Sequence, residues 1–294
     1  MASESIPGLA KRDDVPAVTH TADGRLRRPV QLLLQVMHDV RSSAHVAGEI
    51  FRRDVTSQYR QSLFGIFLAI VPAVVTTVWA IVCQQANLIN VGNVQVPYPF
   101  FVLFGMMLWS AFTEAIYGPV EGLLAEQGLL SRANIPAEAV VVARVGQVFF
   151  NFGVKLVVIA AAAVFYRVHV SWTVLLAPLG LVLLVALGTA IGLVLAPLNL
   201  LYRDVQRGLG VVTTFWLFMT PVLYLPSGHG VASVILRVNP VSALLVSTRD
   251  LAFRGSLSMP GALAVVSALT LILLTAATLF YRVAMPIVID RANA

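Results

Sequence analysis

One cysteine, Cys83, and two lysines, Lys11 and Lys155, are all that this 294-residue chain holds of either type. A lone thiol excludes an intrachain disulfide framework and any multi-cysteine metal knuckle. No glycine is followed by lysine, so the phosphate-cradling Gly-x-x-x-x-Gly-Lys-Ser/Thr loop is absent, and no His-Glu-x-x-His or Cys-x-x-Cys occurs. No internal repeat of 20–50 residues is apparent. Charge is scarce at 12% of residues and is missing altogether from Gln61 to Thr113. A soluble domain of this size needs more polar surface than that. The composition therefore excludes a water-soluble enzyme. The net charge of +6 would point to nucleic acid in a soluble protein, but not here.

What is present is hydrocarbon. Mean hydropathy is +0.85, and six apolar stretches reach membrane-spanning length, at about 63–85, 97–120, 138–165, 172–199, 208–226 and 261–281. The reading is an all-α integral membrane protein of six transmembrane helices. An N-terminal amphipathic interfacial helix precedes them, and short re-entrant helices precede the last span. The expected parts are a flexible tail (1–31), the amphipathic helix (32–61), the six-span domain (62–285) and a second tail (286–294). Within the domain, 121–137 is a cytoplasmic loop and 227–260 an external segment that re-enters the membrane around Asn239-Pro240. Val36, Val40, Ala44, Ala47, Phe51, Val55 and Tyr59 recur every three or four residues between basic neighbours, the pattern of a helix lying among lipid headgroups.

Alternate sides of the membrane hold 14 and four basic residues; the smaller set is Arg167, Arg237, Arg249 and Arg254. Positive residues stay inside, which places both termini in the cytoplasm of a multi-pass plasma-membrane protein.

Charges inside the spans are costly, roughly 2.5–3.5 kcal/mol each on insertion scales, so each needs a reason. Arg144, Gln147, Asn151 and Lys155 fall on one face of the third span. Glu114 lies at comparable depth on the second. A structural Glu114–Arg144 ion pair is one expectation. A polar wall facing a conduit, with Asn151 and Lys155 in it, is the other. Gly188 and Gly192 form a small-residue surface for close helix packing.

Several stretches resemble a known family in order along the chain. They are Phe51 to Val71; Phe104-Gly105 to Trp109, with Phe112 and Glu114; Leu129 to Pro136; Leu198-Asn-Leu-Leu-Tyr-Arg-Asp-Val205; Phe215 to Tyr224; and Val238-Asn-Pro240. Together they are similar to the membrane subunits of polysaccharide-export ABC transporters, which export O-antigen, capsule and teichoic-acid chains. The resemblance spans roughly 48–285 and implies a homodimer with two separate ATP-binding subunits. ATP and Mg would bind to those subunits, leaving this chain no cofactor, no metal and no catalytic residue. It implies a gate helix over 38–60, with Arg52, Arg53, Tyr59 and Arg60 meeting an anionic polyprenyl-diphosphate headgroup in the lipid surface. It also implies a coupling helix over 122–136, with Glu126, Ser131, Arg132 and Asn134 as contacts to the ATPase. Trp109, Phe112, Phe215, Trp216 and Tyr224 are aromatic faces on which a glycan could stack along a conduit. An ATP-independent flippase or secondary transporter would show inverted repeats. A membrane-embedded envelope enzyme would need a carboxylate or metal constellation. Those are the rival readings; nucleic acid is not an expected partner.

Overall fold

The computed structural model describes residues 44–60, 65–86, 96–128, 136–224 and 238–293. Every regular element among them is helical. In chain order these are α1 (Ala44–Arg60), α2 (Gly65–Gln85), α3 (Tyr98–Ala125), α4 (Ala137–Phe165), α5 (Ala177–Leu201, entered through a 3-10 turn at Trp172–Leu176), α6 (Asp204–Met219), α7 (Pro240–Arg249, continued by a π turn at Asp250–Arg254) and α8 (Pro260–Asn293). Residues 32–43 and 61 of the expected amphipathic helix lie outside the described residues.

Among the described residues, four segments are long and apolar enough to cross a bilayer: α3, α4, the Trp172–Leu201 segment and α8. Their starts follow the hydropathy of the sequence, and prolines mark three of them: Pro97 before α3, Pro136 before α4 and Pro260 opening α8. Proline suits a helix start, where the missing N–H has no partner to lose. Two boundaries differ from the expected ones. The fifth segment stops at Met219, well before 226, because Thr220 turns extended and Pro221 follows it. The last helix does not end near 281 but continues through Pro286 to Asn293, so the expected tail is helical there.

α3 is the axis of the bundle. It packs most extensively against α5 and then α4, with α2 and α6 adding smaller contacts. Lipid tails are as apolar as leucine, so burying hydrocarbon gains little in a bilayer and association must come from close packing. The glycines of α5 supply it. A β-carbon on Gly188 would lie 2.6 Å from the carbonyl oxygen of Phe112, and one on Gly192 2.5 Å from that of Ile116. Phe100, Met107, Phe112 and Ile116 are consequently fully buried. On the outside, α2, α4 and α8 present Val75, Trp79, Val157, Phe165, Val265 and Ile272, the composition expected of a lipid-facing surface.

The end of the bundle away from α1 is closed by one arginine. Arg249, in α7, donates to the carbonyls of Pro221 (2.6 Å), Val222 (2.8 Å) and Phe101 (3.2 Å). Its guanidinium carbon lies 3.8 Å from the ring centre of Phe101. The break after α6 strands the Pro221 and Val222 carbonyls, and a planar five-donor group can gather them together with the α3 carbonyl of Phe101. Gly105 makes the space: a β-carbon there would overlap the guanidinium. Asn239 completes the closure. It caps α7 through Val241 N–H (3.1 Å), accepts from Trp216 Nε1 (3.1 Å) and donates to Thr220 Oγ1 (3.0 Å).

The glycine contact sets a stability expectation. Gly192→Ala should lower the unfolding free energy in detergent by roughly 1–3 kcal/mol, the usual cost of overpacking. Gly153→Ala, with nothing within 4 Å of the added carbon, should leave the thermal midpoint unchanged. Equal midpoints for the two variants would remove close α3–α5 approach as the organising contact.

Candidate functional site

Three groups of side chains on and beside α3 draw in most of the described residues that the sequence singles out. The first joins α1 to the adjoining ends of α3 and α4. Arg53 pairs with Glu126, just past the end of α3, and with Asp54 at 2.9 Å. Asp54 in turn meets Arg144 of α4 at 3.3 Å. Arg144 donates to Gln147 (3.1 Å), which donates to Gln58 (2.8 Å). The Phe51 ring packs edge-on against Phe150 and lies over Gly146. The Glu126 hydrogen bond holds the Arg53 guanidinium above its ordinary pKa, against partial desolvation that acts the other way. α1 is thus clamped by charge on one side and by an aromatic contact on the other.

The second group lies deeper, between α3 and α4. Lys155 pairs with Glu114 and donates to Ser110 Oγ at 2.9 Å. Asn151 donates to the second Glu114 oxygen at 3.1 Å. The lysine side chain is 3% exposed and the glutamate 32%. The ammonium therefore sits behind the carboxylate, and the carboxylate faces outward. This corrects the expected Glu114–Arg144 pair. Helical rise puts Lys155 three turns further along α4 than Arg144, at the level of Ser110 and Glu114, while Arg144 lies beside Gly118 and Gly122 and turns to Asp54. Lys155, expected on a conduit wall, is buried instead.

The third group is aromatic. Phe112 lies 5.3 Å from Trp109 and 5.4 Å from Trp216, ring centre to ring centre. Trp109 and Phe112 are buried within the single chain, so in this structure their faces are taken by neighbouring side chains and not open to a conduit. Tyr224 turns its hydroxyl to the Phe218 carbonyl at 3.2 Å. Phe215 is the exposed member at 68%.

Of the headgroup residues, Arg52 is exposed, while the side chains of Tyr59 and Arg60 lie outside the described residues. Glu126, expected to face an ATPase, is buried under Arg53; Ser131, Arg132 and Asn134 also lie outside the described residues. Asp54 and Arg249 are the two functional-looking groups that sequence reasoning passed over. Asp54 is hidden among basic neighbours. Arg249 carries a signal, a charge inside the apolar run Val241–Phe253, but enters the sequence reading only as one of four basic residues on the external side.

The arrangement has helices built to cross a bilayer, an amphipathic helix tied to one end, and buried ion pairs without a metal-ligating cluster among the described residues. Residues 47–253 match the family model described as ABC-2 type transporter. The chain belongs to that family. Along most of its length this ABC-2 chain is similar to the O-antigen export system permease protein RfbA of Myxococcus xanthus, 25% identical over 233 residues, covering 78% of this chain and 88% of the relative. The protein of the same name from Klebsiella pneumoniae is 23% identical over 220 residues, covering 71% and 80%. The resemblance seen in the ordered motifs is thereby established at family level: this is a multi-pass transmembrane transporter subunit and not a catalytic one.

A double-mutant cycle tests the pairing. Glu114→Gln and Lys155→Gln should each lower the thermal midpoint, with a coupling of roughly 0.5–3 kcal/mol between them. Glu114→Gln and Arg144→Gln should be additive. Coupling in the second cycle but not the first would restore the rejected pair.

Proposed function

We propose that this chain is the permease of an ATP-driven exporter of lipid-linked polysaccharide, acting as a homodimer with two separate ATP-binding subunits at the cytoplasmic face of the plasma membrane. The observation that carries this reading is the alignment with two O-antigen export permeases over most of both partners' lengths. The missing phosphate loop accords with it, because ATP is then hydrolysed elsewhere. On this reading α2, α3, α4, α5, α6 and α8 are the six spans and α7 re-enters without crossing.

The polar clamp supports a gate-and-coupling role for α1. An interfacial helix tied by Arg53 to Glu126 moves with the loop that follows α3, and that loop is the proposed contact with the ATPase. Displacement of the loop would pull on Arg53–Glu126 and, through Asp54, on Arg144 of α4. Arg52 is left exposed to meet an anionic polyprenyl-diphosphate headgroup or the anionic lipid surface.

Two measurements test the reading. Affinity purification of the tagged chain from its native membrane should bring down an ATP-binding subunit whose ATPase activity the permease stimulates, and Arg132→Glu should weaken that stimulation. Recovery of the chain alone would favour an ATP-independent flippase or a membrane-embedded enzyme. For orientation, Ser131→Cys in a Cys83→Ser background should be shielded from impermeant thiol reagent in intact cells, and Ser227→Cys should be labelled. The reverse pattern would invert the topology.

A further inference from the structure

Between Phe100 and Val120 of α3, the residues that are not buried are Ser110, Thr113, Glu114, Tyr117 and Gly118. Every apolar side chain on that stretch is packed inside the protein, and what remains open is hydroxyl, carboxylate, phenol or glycine. At 100° per residue the five lie within roughly a third of the helix circumference, with Glu121 continuing the line. This is the reverse of the outward faces of α2, α4 and α8, which are apolar. A partly exposed carboxylate in this position is not a lipid-facing group, since hydrocarbon disfavours it by roughly 2.5–3.5 kcal/mol on insertion scales.

The stripe is also the floor of a groove. A cleft of about 180 Å³ lies on its α4 side, lined by Glu114, Tyr117, Glu121, Arg144, Gln147 and Asn151 among others. A second of about 490 Å³ lies on the α6 side, bounded by Tyr117, Leu124, Arg203, Gln206, Arg207 and Gly210. They share Tyr117, which meets Thr213 of α6 at 3.3 Å, and Glu121 meets Gln206 at 2.8 Å.

We propose that this α3 stripe is a wetted wall of the export path, and that it receives the hydroxyl groups of the glycan rather than its lipid or its anionic headgroup. The inference rests on the export reading above and names the wall that the buried aromatics do not supply. The chemistry selects the occupant. Glu114 turns its carboxylate outward with Lys155 buried behind it, and Arg144 in the same cleft is engaged by Asp54 and Gln147, so the face left to a ligand is chiefly a carboxylate, which accepts from sugar hydroxyls and suits a diphosphate less well. Ser110, Thr113 and Tyr117 add hydroxyls that can donate or accept, a surface indifferent to the order of sugars along a chain. The arginines of the wider cleft, Arg203 and Arg207, lie on the α6 side of the stripe, apart from Glu114, where a headgroup would be held away from the glycan.

The test uses the reconstituted permease–ATPase complex in nanodiscs, in a Cys83→Ser background. Cys83 is buried, and Thr113 bonds only back to its own helix through Trp109 and Ser110 carbonyls, so Thr113→Cys should fold. Val157→Cys, on an apolar α4 position exposed to 70%, is the lipid-facing control. A positively charged methanethiosulfonate should modify Thr113→Cys at least about tenfold faster than Val157→Cys, because a charged reagent does not enter hydrocarbon and a thiol there loses thiolate tenfold per unit of raised pKa. Lipid-linked glycan purified from the host membrane should slow that labelling, and bare polyprenyl diphosphate should not.

Equal rates for the two cysteines would overturn the wall; a disulfide between two Thr113→Cys copies would then show that a second chain covers it. Protection by bare polyprenyl diphosphate would overturn the glycan assignment in favour of the headgroup, and fast labelling that neither lipid slows would overturn it too. Surface glycan in a strain lacking this gene is measured alongside. Its persistence would defeat the export reading itself, whereas its loss together with an unlabelled Thr113→Cys would defeat the wall alone.

Discussion

The close approach of α5 to α3 is the constraint on which the rest of this molecule depends. With Gly188 and Gly192 against the carbonyls of Phe112 and Ile116, the two helix backbones meet with no side chain between them. In a bilayer such contact is what holds helices together, since the surrounding lipid competes on equal terms for every methylene. The contact buries α3 on that side, and α4, α2 and α6 cover most of what is left. Only then does one narrow stripe of α3 stay open. Loosening this contact would expose Phe112 and Met107, and the stripe would no longer be distinguished from its surroundings.

Ion pairs tie helices of the bundle to one another. Lys155 with Glu114 joins α4 to α3, Arg53 with Glu126 joins α1 to α3, and Asp54 with Arg144 joins α1 to α4. Arg249 differs, because its partners are carbonyls. Carbonyl partners suit a site where the chain breaks and leaves backbone acceptors unpaired, and a carboxylate there would have left those acceptors bare. Each charge thus marks a joint, either between helices or between a helix and a break. The α1 joints are the more exposed ones: the Arg53 side chain is 50% accessible, so water and salt weaken its pairs. A helix held by partly solvated pairs can be released at low cost, which suits the gate role proposed for α1. In the Lys155 pair the ammonium is shielded at 3% exposure while the carboxylate is 32% exposed, so the lysine is the fixed member.

Much of the fold was legible from composition and periodicity. Helix starts at Tyr98, Ala137 and Pro260 lie within a residue or two of the expected ones, because proline and apolar onset are local signals. The amphipathic period of Ala47, Phe51 and Val55 likewise appears as α1. The end of α6 was misplaced since apolar residues continue to Leu225 in sequence, whereas the backbone turns at Thr220-Pro221. The candidate site was less legible. Helical geometry correctly grouped Arg144, Gln147, Asn151 and Lys155 on one face, yet that grouping cannot say which helix faces them at which height. Trp109 and Phe112 looked available for a conduit because nothing local reveals whether an aromatic ring is already covered.

What the sequence by itself determined is the solvent, the absence of a nucleotide loop and the existence of buried charges needing partners. These follow from residue type and spacing along one chain. What only the tertiary structure decided is who pairs with whom: Glu114 with Lys155, Arg144 with Asp54, Arg249 with backbone carbonyls, and Trp109 and Phe112 with Trp216. Pairing depends on the relative height and rotation of neighbouring helices. Those are set by the sum of many glycine, aromatic and proline contacts spread over separate segments, so no single segment contains them.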